Sequence, residues 1–392
     1  MKKYFVLTFG TVMLAFMGLI YAWSVVAGPL KGELAMTAQQ ISAVFTCSIA
    51  FFALGTLLAG VLARKHKPSF IYTLSALCLA LGFFLSSHAV SYICLCMFYG
   101  ALCGLGIGLI YNITIATVSK WFATSLGLCS GVLLMGYGAG AMVLAPAYVG
   151  LCNLLGWRTT LALMACLFAV LALLATVIVT TPHATGTAAT TKKREYFEDI
   201  TSGEVLKRKS FWFAFVFLAF TGASALAIFA QARLFVASVM AETSLPIVVG
   251  LLSVSNGLGR IALGTIYDRL KLRRAATIDG VLFILAIFGL LLALRLHCAS
   301  LLVASICLTG FAFGGSTPLL PVWAYKMYGP RDYSLNMSFL CTNLIPASVI
   351  GPTISGGLFG LVSSLDACLY VLLALVGVAV VLLQFVSYEK NN

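Results

Sequence analysis

Residues 246–267 read PIVVGLLSVSNGLGRIALGTIY, an apolar stretch with one charge inside it, Arg260. About two turns of apolar sequence separate that arginine from the next charge, Asp268. A bilayer core about 30 Å thick takes about 20 apolar residues in a helix, so this stretch is long enough to cross one. A charge inside such a helix costs about 2.5–3.5 kcal/mol on insertion scales, and it is found where it faces a cavity and acts there. No carboxylate is expected at a comparable depth elsewhere in the chain. A buried cation in this setting points to an anion-binding site.

The rest of the sequence repeats the pattern of that stretch. Of 392 residues, 61% are hydrophobic and 9% charged, and the mean hydropathy is +1.07. A soluble domain carries about 25% charged residues. Twelve apolar runs are long enough to span a membrane: 4–27, 41–63, 69–88, 91–119, 126–152, 157–181, 211–235, 246–267, 275–296, 300–323, 334–362 and 366–388. The fold class expected is an all-α membrane protein of twelve transmembrane helices. The first run is too long for a simple signal-peptide core, and Ile20-Tyr21-Ala22 makes a poor cleavage site, so it is read as a span.

The net charge of +13 would suit a nucleic-acid binder if it were clustered. With twelve spans, however, alternate connections fall on opposite sides. Nineteen of the 24 Lys and Arg residues then lie on the side of both termini, four on the other, and Arg260 within. The positive-inside rule makes the crowded side cytoplasmic. The basic balance is therefore a topology signal, and nucleic acid is excluded as a partner.

The twelve cysteines are scattered through apolar runs with no CxxC pair and no Cys/His spacing suited to zinc. They read as small core residues. His66, His88, His183 and His297 fall at run ends or in loops. No metal or cofactor is called for. Nor does a nucleophile–base pair or a phosphate loop stand at usable spacing, which excludes a membrane enzyme.

Only one connection is long, residues 182–210, a polar linker with no room for a soluble domain. It divides the chain into a six-helix half at 1–181 and another at 211–392. Residues 201–209 are expected to form a short interfacial helix. The halves repeat one another. Gly60 precedes Arg64 by four residues, as Gly264 precedes Asp268. Gly108 precedes Lys120 by twelve, as Gly314 precedes Lys326. The two offsets, 204 and 206, nearly agree. Two six-helix repeats around a midplane site is a usual construction of a secondary transporter. Glycines concentrate in the fourth, fifth, tenth and eleventh runs, where small residues let helices pack closely or slide.

Gly264, Asp268 and Arg269, leading to Arg273 and Arg274, resemble the cytoplasmic motif between the eighth and ninth helices of the major facilitator superfamily. Other strings are similar to one branch, the oxalate/formate antiporter family, with the monocarboxylate transporters as relatives. They are Tyr21-Ala22-Trp23-Ser24; Tyr111-Asn112 followed by Lys120-Trp121-Phe122; Gly127 to Gly131, then Gly136-Tyr137-Gly138-Ala139-Gly140-Ala141; Gly156-Trp157-Arg158; Phe211-Trp212; and Asn256-Gly257-Leu258-Gly259-Arg260. The resemblance implies a major facilitator fold and alternating access by rocking of two halves around a carboxylate site. It makes Arg260 the residue that binds the carboxylate, with Tyr21, Tyr111 and Tyr137 lining the site. Two departures stand out. The oxalate carriers' second basic residue falls at Leu344 here, and the eleventh run holds neither Lys nor Arg. The usual Asp of the motif between the second and third helices is Arg64.

An arginine fork grips a carboxylate with two hydrogen bonds and stays charged at any relevant pH. One cation balances one negative charge, so the expected cargo is a monocarboxylate of the formate, lactate or pyruvate type. Closing the site without an anion would bury a bare charge, which favours exchange over return of an empty carrier. Asn256, one turn before Arg260, is placed to orient the guanidinium or bind substrate. Asn112 and Trp323 are further candidates for substrate contact, while Trp121 and Trp157 read as interfacial anchors. Gly264, Asp268, Arg269 and Arg64 form the expected gating set. Proton coupling needs a titratable group in the membrane. Asp279 alone comes near, about one turn inside the ninth run, and reads there as a helix N-terminal dipole partner. The carrier is expected to be monomeric in the inner (plasma) membrane. Proton symport, drug efflux, or a carrier-like sensor that binds without moving its ligand are the alternatives.

Overall fold

The computed structural model describes residues 2–19, 23–182, 198–362 and 365–386. Its regular elements are all helical. They are α1 (Lys2–Met17), α2 (Trp23–Glu33), α3 (Ala38–Leu62) and α4 (Pro68–Ser87); α5 (Tyr92–Ser119); α6 (Leu126–Leu155), α7 (Trp157–Ile178), α8 (Ser202–Val205), α9 (Lys209–Ala230), α10 (Ala232–Val239), α11 (Leu245–Arg269), α12 (Leu272–Leu296), α13 (Ala299–Tyr328), α14 (Tyr333–Cys341), α15 (Leu344–Val362) and α16 (Leu365–Gln384). Within α5 the stretch Cys96–Cys103 winds as a π-helix.

Ten of these helices are long and apolar enough to cross a membrane. They account for ten of the twelve expected runs. The first run consists of α1 and α2, on either side of residues 20–22, which lie outside the described ones. The eleventh run breaks at Thr342–Asn343 into α14 and α15, with the Asn343 amide folded back onto the Leu340 carbonyl. The short helix expected at 201–209 is α8. A reciprocal capping box closes its first turn: Thr201 takes the third backbone N–H while Glu204 reaches back to the Thr201 N–H at 2.9 Å.

By packing, the chain forms two compact units whose borders differ from the linker-based division. Unit 1 is Met1–Thr124, Val132–Glu195 and Asp332–Phe339; unit 2 is Ser125–Gly131, Tyr196–Arg331 and Leu340–Asn392. Two local packing arrangements explain the exchanged segments. In unit 2, Gly127 and Gly264 face each other so closely that a Cβ on either would meet the other's carbonyl. In unit 1, Gly60 does the same against α14, where a Cβ would stand 2.7 Å from the Leu335 Cα and from the Ser338 hydroxyl.

The duplication read from glycine spacing extends to the packing itself. In unit 1, α3 crosses α5 with Gly55 against the Leu105 carbonyl and Gly108 against the Phe52 carbonyl. In unit 2, α11 crosses α13 with Gly259 against the Phe311 carbonyl and Gly314 against the Asn256 carbonyl. The α3 and α11 positions are offset by 204 and the α5 and α13 positions by 206, as in the sequence. At each crossing the backbone of one helix occupies the place of a side chain on the other, so only glycine fits. Under this register Phe52 is the counterpart of Asn256, Thr56 of Arg260, and Arg64 of Asp268.

Candidate functional site

Arg260 lies in the membrane-spanning part of α11, nine residues before its C-terminal end, and is 6% exposed. Its Nε donates to the Asn256 Oδ1 at 3.1 Å. The i, i+4 spacing places the two side chains on one helix face. Asn256 brings no charge, so it fixes the direction of the fork and leaves its positive charge as it was. The expected role of Asn256 in orienting the guanidinium thus has a geometric basis.

Tyr111 and Tyr137 are buried in unit 1, where they share a cluster with Phe52. Tyr111 and Tyr137 are 5.1 Å apart by ring centroids, Phe52 and Tyr111 5.2 Å, and Phe52 and Tyr137 6.2 Å. The sequence reading missed Phe52; its register with Asn256 was the signal that could have found it. Tyr21 lies outside the described residues.

Two further candidates are bound up in packing. Asn112 is fully buried and donates to the Ser334 carbonyl at 3.1 Å and the Ser338 hydroxyl at 2.6 Å, while its Oδ1 accepts from the Ser334 hydroxyl. Its amide braces α5 against α14. Trp323 is also fully buried, and its indole donates to the Tyr328 hydroxyl at 3.2 Å.

The residues expected to gate separate by unit. In unit 2, the Asp268 carboxylate accepts from the backbone N–H of Gly127 at 2.7 Å and of Leu128 at 2.8 Å. These are orphan donors at the start of α6, and a carboxylate there also meets the positive end of the helix dipole. Arg269, next to it, is exposed. In unit 1, Arg64 pairs its Nε with Asp332 at 3.2 Å, immediately before α14 begins. The arginine found where an Asp was expected therefore has an acidic partner near a helix start. Across the repeat, the charges are reversed.

Asp279 corrects the expectation that no other carboxylate lies at depth. It is the eighth residue of α12, about two turns in, and 0% exposed. It does not cap the helix start: its Oδ2 accepts from the Ser316 hydroxyl of α13 at 2.6 Å. Trp157 is also more than an interfacial anchor. Its indole donates to Glu33, and Arg158 donates to the same carboxylate at 2.9 Å and to the Ser87 carbonyl at 2.9 Å. Those two partners, the indole first, hold the Glu33 carboxyl below its ordinary pKa.

The model of the Major Facilitator Superfamily matches residues 8–342. The chain belongs to this superfamily. It is 26% identical over 332 residues to the "Uncharacterized MFS-type transporter YhjX" of Escherichia coli (strain K12), covering 83% of this chain and 81% of that one. It is 23% identical over 337 residues to the "Oxalate:formate antiporter" of Oxalobacter formigenes, covering 85% and 79%. Its fold is that of the crystal structure of the transporter FucP, with a TM-score of 0.73, 12% identity and full coverage of both chains. The protein is an integral, multi-pass membrane transporter of the twelve-helix major facilitator fold.

Proposed function

We propose that this transporter carries small organic anions, monocarboxylates of the formate, lactate or pyruvate type, by alternating access with anion exchange. The observation that carries the reading is Arg260, a buried guanidinium in a membrane-spanning helix, aimed by a neutral amide. Arginine keeps its charge in such surroundings and offers a planar fork that matches a carboxylate. Charge balance sets the cargo: one arginine neutralises one carboxylate, and the run 334–362 contains neither Lys nor Arg to balance a second. An oxalate:formate antiporter among the relatives supports the carboxylate class. Tyr111 and Tyr137 keep their proposed role as substrate contacts, and Asn256 as the residue that positions Arg260. Asn112 and Trp323 are left out, since their polar atoms serve packing. Gly264, Asp268, Arg269 and Arg64 are proposed as the gating set, acting at the starts of α6 and α14. Monomeric carriers in the inner (plasma) membrane with cytoplasmic termini complete the proposal, in accord with the asymmetry of Lys and Arg.

The test is counterflow. Proteoliposomes preloaded with formate, lactate, pyruvate or oxalate are offered the same labelled acid. Accumulation with a monocarboxylate and none with oxalate is the expected result. Accumulation with oxalate alone would refute the one-cation site, and no exchange of any acid by folded protein would refute the carboxylate reading.

A further inference from the structure

Asp279 has no part in the mechanism above, yet it is buried as completely as any residue in the protein. Its Oδ2 takes the Ser316 hydroxyl; its Oδ1 has no hydrogen-bond partner. The remaining polar neighbour is the Tyr267 phenol of α11, itself fully buried and close enough to interact with the Asp279 carboxyl, though short of full hydrogen-bond geometry. Beside the next residue, Gly280, stand Val380 of α16 and Phe217 of α9, both apolar. From α13 come Ser316 and, against the Tyr267 carbonyl at 2.6 Å, the Lys326 ammonium. Among the described residues no cation lies within ion-pair distance of Asp279.

An ionised carboxylate in this place would be a buried charge with two hydroxyls beside it and, among the described residues, no cation to balance it, a costly form for such a group. A neutral acid fits. Its carbonyl oxygen accepts from Ser316, and its O–H faces the tyrosine oxygen. Tyr267 lies seven residues after Arg260 on α11, two turns along the same face. The packing of α11 against α12 therefore links the arginine's helix directly to this carboxyl.

We propose that Asp279 is a proton-binding site, with Ser316 and Tyr267 as its partners, and that net carboxylate movement is coupled to its proton. The carboxyl O–H bond breaks when the proton leaves to water on one side of the membrane. It forms again with a proton taken from water on the other. The anion at Arg260 and the proton at Asp279 then cross together as a neutral sum, whereas exchange of one anion for another needs no proton. The coupling rests on the carboxylate reading of Arg260; the proton site does not.

Two measurements test this. Infrared spectroscopy of the purified protein at neutral pH should show the carbonyl band of a buried carboxylic acid. The band should be missing in Asp279→Asn and displaced in Ser316→Ala, a variant that assigns it even where the Asn variant does not fold. In proteoliposomes, net uptake of labelled formate, lactate or pyruvate should rise several-fold on an inward proton gradient. Asp279→Asn should lose that response and retain measurable exchange. Absence of the band with exchange intact would overturn the proton site and leave the substrate reading standing. The band without exchange of any acid would overturn the coupling and leave the proton site. A gradient response kept in full by Asp279→Asn, or one that follows sodium at fixed pH, would overturn the proposal.

Discussion

The α3–α5 crossing of unit 1 and the α11–α13 crossing of unit 2 share a backbone arrangement and differ in chemistry. Gly55 and Gly108 in one match Gly259 and Gly314 in the other, each pressed against a carbonyl of the neighbouring helix. Between those glycines the side chains diverge. Phe52 and Thr56 stand in unit 1 where Asn256 and Arg260 stand in unit 2. Thr56 spends its hydroxyl on its own helix, donating to the Ala53 carbonyl at 2.8 Å. Arg260 carries a charge instead. The duplicated glycines hold the same scaffold in both units, while the neighbouring positions carry part of an aromatic cluster in one unit and a cation in the other. The same holds at the helix ends, where Asp268 takes backbone N–H groups directly and Arg64 takes an aspartate.

The glycines give the largest expected effect. Gly55→Ala and Gly259→Ala each drive a methyl into a carbonyl, and overpacking of this kind costs about 1–3 kcal/mol. Both variants should lose folded protein to a similar degree in a detergent thermal-stability assay, while Gly28→Ala, with nothing within 4 Å, should match the wild type. A large loss at one crossing and none at the other would break the equivalence.

Next come the helix ends. Asp268→Ala removes the acceptor for two N–H groups and should cost about 0.5–2 kcal/mol, the range for losing a helix cap. Arg64 is half exposed, and surface pairs contribute about 0.2–1 kcal/mol. Arg64→Ala should therefore cost less, and the exchange Arg64→Asp with Asp332→Arg should restore part of what Arg64→Asp alone removes. Equal costs at the two ends, or no recovery in the double variant, would show that the reversed charges are not alternative forms of one brace.

Glu33 gives the smallest effect. Its pKa is depressed in the folded protein by the Trp157 indole and Arg158. A depressed carboxyl contributes stability above its unfolded value, about 4.3, and that contribution is lost as pH falls through the folded value. Wild type should exceed Glu33→Gln in stability at neutral pH, and the two should converge once pH has fallen below the depressed folded value. A gap that persists in acid would remove the carboxylate's charge from the account.

Much of this was legible in the sequence because it depends on local chain properties. Length and hydropathy marked the spans, glycine spacing marked the crossings, and the position of Arg260 within an apolar run marked the cation. Asn256 followed from helical spacing alone. What was not legible depended on partners distant in the chain. Asp279 sits near enough to a run end to pass for a helix N-terminal dipole partner; its burial and its bond to Ser316, 37 residues later, come from tertiary packing. Asn112 resembled a site residue until Ser334 and Ser338, more than 200 positions away, took up its amide. Asp332 as the partner of Arg64 was hidden for the same reason. Likewise, the break inside the eleventh run leaves hydropathy unchanged.

The most direct test of the central claim sets Arg260 against its counterpart. Arg260→Ala, Arg260→Lys and Thr56→Val would be reconstituted at equal amounts of folded protein and assayed by monocarboxylate counterflow. Losing a charged hydrogen-bond partner costs about 1.5–3 kcal/mol, so both Arg260 variants should lose exchange by about tenfold to a hundredfold or more, with lysine unable to replace the fork. Thr56→Val should transport at close to the wild-type rate. Full exchange by Arg260→Ala would contradict the account, because the cation that distinguishes the two units would then have no part in holding the anion.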